Sequence, residues 1–167
     1  MERAFFNTVL GGMALDGKHI FYVNPLETYP KSIPHNHIYD HIKPVRQRWF
    51  GCACCPPNIA RTLVAIGHYL FTPRRDALFI NFYAGSEAQF TINDQPLALK
   101  ISGNYPWDEE VNITFSHPQA VQHTLALRLP EWCEAPQVLI NGEAAQGEQL
   151  KGYMHITRQW QQDRKSV

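Results

Sequence analysis

The sequence predicts an α+β chain, with a helical part over residues 1–75 and an antiparallel β-sandwich over residues 76–167. Two observations carry that reading. Apolar residues recur at helical spacing in two early segments, and from Asp76 onward the pattern changes to short β-rich runs separated by turn residues. No internal repeat and no low-complexity stretch interrupts the 167 residues.

The first segment, "ERAFFNTVLGGM", places Ala4, Phe5, Val9 and Met13 on one helical face, and Gly11 and Gly12 weaken its end. Asp16-Gly17 reads as a turn, followed by a short apolar strand from His19 to Val23 that Asn24-Pro25 stops. Residues 27–48 read as a long polar loop carrying Pro30, Pro34, Pro44, His35, His37 and His41; loops of that length inside a compact domain are often functional. A second helix begins near Pro57 to Asn58 and sets Ile59, Leu63, Ile66 and Leu70 on one stripe.

In the second half, "ALFINFYAG", "AQFTIND", "LALKISG", "VNITFSH", "HTLALRLP", "QVLING" and "GYMHITRQW" read as strands, with turns at Asn93-Asp94 and Asn141-Gly142. In "HTLALRLP", Leu125, Leu127 and Leu129 face one way and Thr124, Ala126 and Arg128 the other. "HITRQWQQDRKSV" reads as one strand running into a polar tail. Neither end carries the punctuation of a domain boundary, and the expectation is a piece of a longer protein.

Formal net charge is zero and the basic residues are scattered, which gives no electrostatic reason to expect nucleic acid or an anionic membrane as partner. No apolar run approaches a membrane span, and the N-terminus lacks the pattern of a secretory signal. The expected location is therefore cytoplasmic, where the four cysteines stay reduced.

Three of those cysteines crowd into "WFGCACCPPNIAR", residues 49–61. Pro56 pushes Cys55 toward an extended backbone, and Pro57 suits the first turn of a helix. Free N–H groups at a helix start stabilise a thiolate. Inert thiols at a helix–loop junction, a metal site and a nucleophile all fit this pattern. Zinc wants four ligands, the usual Cys-x-x-Cys pair is absent, and any metal would need donors from elsewhere. Adjacent Cys54 and Cys55 reach one metal only if the backbone turns sharply.

"WFGCACCPPNIAR" resembles the signature of the β-L-arabinofuranosidase family, glycoside hydrolase family 127. "ERAFFNTVLGGMALDGKHIFYVNPLE" resembles the segment that leads to that motif, and "LFINFYAGSEAQF" the start of the family's β-sandwich domain. The resemblance implies that residues 1–75 close a helical (α/α) barrel, the C-terminal part of a catalytic domain. It implies that residues 76–167 form a β-sandwich domain incomplete at its C-terminus. It further implies a retaining mechanism with a zinc-bound cysteine nucleophile. On this chain Cys54 becomes nucleophile and zinc ligand, Cys55 a second zinc ligand, and Tyr22 a contact to an arabinofuranoside-type sugar. Cys52 receives no role, and Asn58 and Arg61 are expected to fix the turn and helix. The family's Glu-x-Cys pair and its acid/base glutamate have no counterpart here, and Trp160 lacks the Gly-Asp turn that follows it in the family. The expectation is thus a fragment of a retaining glycoside hydrolase, inactive by itself and weak in metal binding. The other reading is a non-catalytic truncated remnant, or a β-sandwich module for interaction or carbohydrate contact.

Overall fold

The computed structural model describes residues 1–24, 31, 42–52, 54–161 and, as backbone, 163–166. The chain divides into two compact units, Met1–Ile66 and Gly67–Val167.

The first unit opens with α1 (Glu2–Ala4), which widens into a π turn over Phe5–Val9 and tightens into a 3-10 turn over Leu10–Gly12. The expected 3.6-residue stripe is lost through these changes of pitch. Ala4 is exposed, Phe5 and Val9 are half-buried, and Met13 lies past the helix with extended dihedrals. The strand expected over His19–Val23 reduces to single bridges that join Ile20 to Met13 and to Gln47. Ile20 and Gln47 exchange both backbone hydrogen bonds, at 2.9 and 2.8 Å, while Phe21 N–H turns back to the Gly12 carbonyl at 2.8 Å. The ladder therefore has no room to extend. The polar loop with His35, His37 and His41 lies largely outside the described residues.

Helix α2 runs over Pro56–Ala65, one to two residues earlier than the sequence suggests. It ends before the expected stripe is complete, and Gly67, a poor helix former, separates it from α3 (Gly67–Leu70). Ile59, Leu63 and Ile66 are half-buried. Gly12 sits beneath α2: a β-carbon there would stand 3.4 Å from Ile59 Cδ1, at the edge of ordinary van der Waals contact, so the 3-10 turn and the helix lie close together.

The second unit is a two-sheet sandwich. One sheet carries, in spatial order, β1 (Phe71–Pro73), β2 (Ala77–Ile80), β6 (Val121–Arg128), β10 (Tyr153–Trp160) and β9 (Glu148–Leu150). The other carries β3 (Ser86–Ile92), β4 (Gln95–Ser102), β5 (Asn112–Ser116), β11 (Asp163–Ser166), β7 (Leu139–Ile140) and β8 (Glu143–Ala144). Pairing is antiparallel throughout the described residues except for β2 and β6, which run parallel. The polar tail is a further correction. Asp163–Ser166 forms β11, which pairs with β5 and β7. Two open sheet edges offer it backbone partners whatever its side chains are.

Three hairpins share one device. Asn93-Asp94, Asn141-Gly142 and Lys151-Gly152 each hold positive φ at both central residues, the conformation whose twist matches the strands they join.

Between the sheets, Leu125 and Leu127 are fully buried with Leu78, Ile80, Ile113, Phe115 and Trp160, and Leu129 packs half-buried against the same core. Burial of each leucine stabilises by about 1.5–3 kcal/mol. The opposite face of β6 is also covered. Ala126 is fully buried, Thr124 meets the Thr157 hydroxyl at 2.7 Å, and Arg128 Nε donates to the Asn81 carbonyl at 2.5 Å. Among the described residues no helix is long and apolar enough to cross a membrane.

Candidate active site

The site is built at the entrance to α2. Cys55 caps the helix with αR dihedrals (φ −88°, ψ −46°) rather than the extended backbone expected ahead of a proline. Two hydrogen bonds outweigh that steric preference. Asn58 N–H donates to the Cys55 carbonyl at 3.0 Å, and the Asn58 side-chain amide donates to the Cys54 carbonyl at 2.9 Å. Arg61 then donates to Asn58 Oδ1 at 2.5 Å and holds the amide in place. The chain folds back sharply over Cys54 and Cys55 as a result.

That turn brings the Cys54 and Cys55 sulfurs to 3.4 Å. The Tyr22 hydroxyl meets the Cys54 sulfur and donates to the Cys52 sulfur at 3.5 Å. Hydrogen bonding to Cys52, then Cys54 and Cys55, holds the Tyr22 phenol far above the ordinary tyrosine range, so it keeps its proton. The Tyr22 ring is positioned by Phe50, with centroids 5.4 Å apart. Its backbone neighbour Phe21 lies under Arg46, whose guanidinium carbon stands 4.7 Å from the ring centre and whose Nη2 donates to the Gly11 carbonyl at 2.5 Å. Asn24 Nδ2 donates to the Thr8 carbonyl at 2.6 Å and ties the same segment to the π turn.

The helix start contributes less to the thiols than the sequence suggests. Its first two residues are Pro56 and Pro57, so two of the usual free N–H donors do not exist, and the next one, on Asn58, is taken by Cys55. The side-chain contact to Cys54 comes instead from Tyr22, across thirty-two residues of sequence.

All four cysteines carry free thiols, and Cys52 and Cys54 are exposed. Two sulfurs on a tetrahedral zinc stand about 3.8 Å apart, given Zn–S bonds near 2.3 Å. The Cys54–Cys55 pair at 3.4 Å fits two adjacent corners of such a site. Among the described residues no group of three or more His, Cys, Asp or Glu is placed to hold a metal. His35, His37 and His41, the candidate substitute donors, lie outside the described residues.

The structure thus gathers Tyr22, Cys54 and Cys55, and it adds Cys52, to which the sequence assigned nothing. The sequence signal for Cys52 is its place two residues ahead of Cys54. Phe50 and Asn24 carried no such signal.

An exposed thiol beside a phenol at a helix start, in a chain that goes on into a β-sandwich, is the arrangement to set beside known proteins, and the comparisons show a glycoside hydrolase family. Residues 1–68 match the family described as the β-L-arabinofuranosidase GH127 catalytic domain, and residues 77–166 match its GH127 middle domain. The chain belongs to glycoside hydrolase family 127. It is similar to the non-reducing end β-L-arabinofuranosidase of Bifidobacterium longum subsp. longum, at 35% identity over 93% of this chain and 24% of that protein. It also resembles a crystal structure of a GH127 β-L-arabinofuranosidase from Geobacillus stearothermophilus T6, with a TM-score of 0.88 and 48% identity over 99% of this chain and 26% of that one. A second solved GH127 β-arabinofuranosidase gives a TM-score of 0.79 at 26% identity, over 99% and 27% of the two chains. The chain spans about a quarter of the length of these relatives.

Proposed function

We propose that this chain is the nucleophile-bearing part of a retaining glycoside hydrolase acting on β-L-arabinofuranosides, with the Cys54 thiolate as nucleophile. Family membership supports the reaction class, and the observation that carries the residue assignment is the Cys54–Cys55 sulfur pair, 3.4 Å apart, with the Tyr22 hydroxyl on Cys54. In this reading residues 1–75 complete a helical (α/α) barrel, and residues 76–167 are a β-sandwich domain incomplete at its C-terminus. The four free thiols suit a reducing, cytoplasmic location.

The reaction is a double displacement. The Cys54 thiolate attacks the anomeric carbon while the bond to the leaving oxygen breaks, and that oxygen takes a proton from a carboxylic acid. A thioglycoside forms. Water, giving up its proton to the same carboxylate, then attacks the anomeric carbon, and the carbon–sulfur bond breaks with net retention. Zinc held by Cys54 and Cys55 would keep both sulfurs ionised when bound. Tyr22 keeps its proton and offers it to a sugar hydroxyl, so substrate entry exchanges the Tyr22–Cys54 contact for one to the sugar. Asn58 and Arg61 fix the direction of the attacking sulfur.

Replacing the matching segment of the Geobacillus enzyme by this chain tests the proposal. The hybrid is expected to hydrolyse an aryl β-L-arabinofuranoside and to lose that activity on Cys54→Ser. A folded hybrid without turnover would favour the non-catalytic reading. This chain assayed by itself is expected to show no turnover of unactivated arabinosides. The groups meeting the Cys54 sulfur among the described residues are Tyr22 and Cys55, and loss of a general acid costs about 10²–10⁴-fold.

A further inference from the structure

We propose that Cys52 is the resolving thiol for Cys54: a peroxide joins the two sulfurs in a reversible disulfide, and Cys54 is thereby kept from irreversible oxidation. The inference goes beyond glycoside chemistry and stands whether or not Cys54 attacks a sugar. Cys52 and Cys54 are both exposed, and both sulfurs lie within reach of one oxygen, that of Tyr22. Residues two apart span roughly up to 7 Å between α-carbons, which includes the usual disulfide range of about 4.4–6.8 Å.

Cys55 is the rival partner, since its sulfur is already 3.4 Å from that of Cys54. Backbone geometry disfavours it. Neighbouring α-carbons stand about 3.8 Å apart across a trans peptide, below the disulfide range. Cys55 also caps α2, and its carbonyl accepts from Asn58, so twisting it into a ring with Cys54 would open the helix start. Cys52 precedes the turn and carries no such constraint.

The chemistry balances with hydrogen peroxide as the oxidant. The Cys54 thiolate attacks a peroxide oxygen, the O–O bond breaks, and hydroxide leaves and is protonated to water, giving a sulfenic acid. The Cys52 thiolate attacks the Cys54 sulfur, an S–S bond forms, the S–O bond breaks, and hydroxide leaves as a second water. Two thiols lose two electrons and the peroxide gains them. The disulfide withdraws the Cys54 sulfur from all other chemistry until a thiol reductant restores it.

The test uses the whole chain, reduced, desalted and treated with hydrogen peroxide, then alkylated and digested with trypsin. Cleavage after Arg48 and Arg61 leaves all three thiols on one peptide, Trp49–Arg61. The expected peptide has lost two hydrogens, carries alkylated Cys55, and regains both hydrogens with dithiothreitol. Cys52→Ser is expected to leave Cys54 as sulfinic or sulfonic acid that dithiothreitol does not reverse, and Cys55→Ala to keep the wild-type disulfide. A Cys54–Cys55 linkage in the wild-type chain, loss of the disulfide in Cys55→Ala, or a Cys52→Ser chain whose Cys54 is fully recovered by dithiothreitol would each overturn the proposal.

Discussion

The side-chain amide of Asn58 donates to the carbonyl of Cys54 at 2.9 Å, spanning the two prolines that open α2. This bond fixes the turn on which the thiol cluster rests.

Asn58→Ala removes that donor and the acceptor of Arg61 together. An exposed hydrogen bond of this kind contributes about 0.5–1.5 kcal/mol. Amide hydrogen exchange over the first turn of α2 should therefore speed up roughly twofold to tenfold. Unchanged protection over residues 59–62 would show that the prolines alone hold the turn.

The sandwich offers a contrast between two tryptophans. Trp160 is 1% exposed, packs on Phe115 and donates its indole N–H to the His123 carbonyl at 2.9 Å, whereas Trp107 is 79% exposed. Trp160→Ala should cost about 3–5 kcal/mol, and Trp107→Ala should stay within about 0.5 kcal/mol of the parent. Urea unfolding followed by far-UV circular dichroism separates the two.

Glu87 and Lys100 face each other across β3 and β4, with Nζ to Oε1 at 2.7 Å. Hydrogen bonding to the ammonium, reinforced by its charge, holds the Glu87 carboxyl below its ordinary value. A lowered carboxyl contributes stability above the unfolded value of about pH 4.3 and loses it as pH falls through the folded value. Glu87→Gln should therefore lower the urea midpoint slightly at neutral pH and low salt, and leave it unchanged at pH 2 or in high salt, because both groups are exposed. A difference that grew toward acid would reverse the assigned sign.

Much of the sandwich was legible because strand pairing and hairpin chemistry are local. Asn93-Asp94 and Asn141-Gly142 announce their turns, and Leu97, Leu99 and Ile101 alternate cleanly with exposed neighbours. Lys151-Gly152 makes the same turn with a residue that rarely adopts positive φ, so its signal was weak. The polar residues of β11 read as a tail because their strand is set by the free edges of β5 and β7. At the site, the Cys54–Cys55–Pro56–Pro57 run marked the place. Its geometry depended on Asn58 overriding the pre-proline preference and on Tyr22 arriving from a distant segment, and neither is a property of the local sequence.

Zinc titration against a chromophoric chelator probes the two-sulfur site. Complete structural sites reach about 10–16 kcal/mol of apparent binding free energy, and two sulfurs should fall well short. Cys54→Ser and Cys55→Ser should each weaken binding further, with Cys133→Ser neutral. Affinity equal to that of a four-ligand site would mean that other donors of this chain, His35, His37 or His41 among them, complete the tetrahedron.

The central claim, that the Cys54 sulfur attacks the sugar, is tested most directly by stopping the hybrid enzyme with acid during turnover of an activated aryl β-L-arabinofuranoside and mapping its peptides by mass spectrometry. The account predicts one pentosyl group on the sulfur of Cys54 in the Trp49–Arg61 peptide, absent in Cys54→Ser and present in Cys52→Ser. A pentosyl group on any other residue, or undiminished turnover by Cys54→Ser, would contradict it.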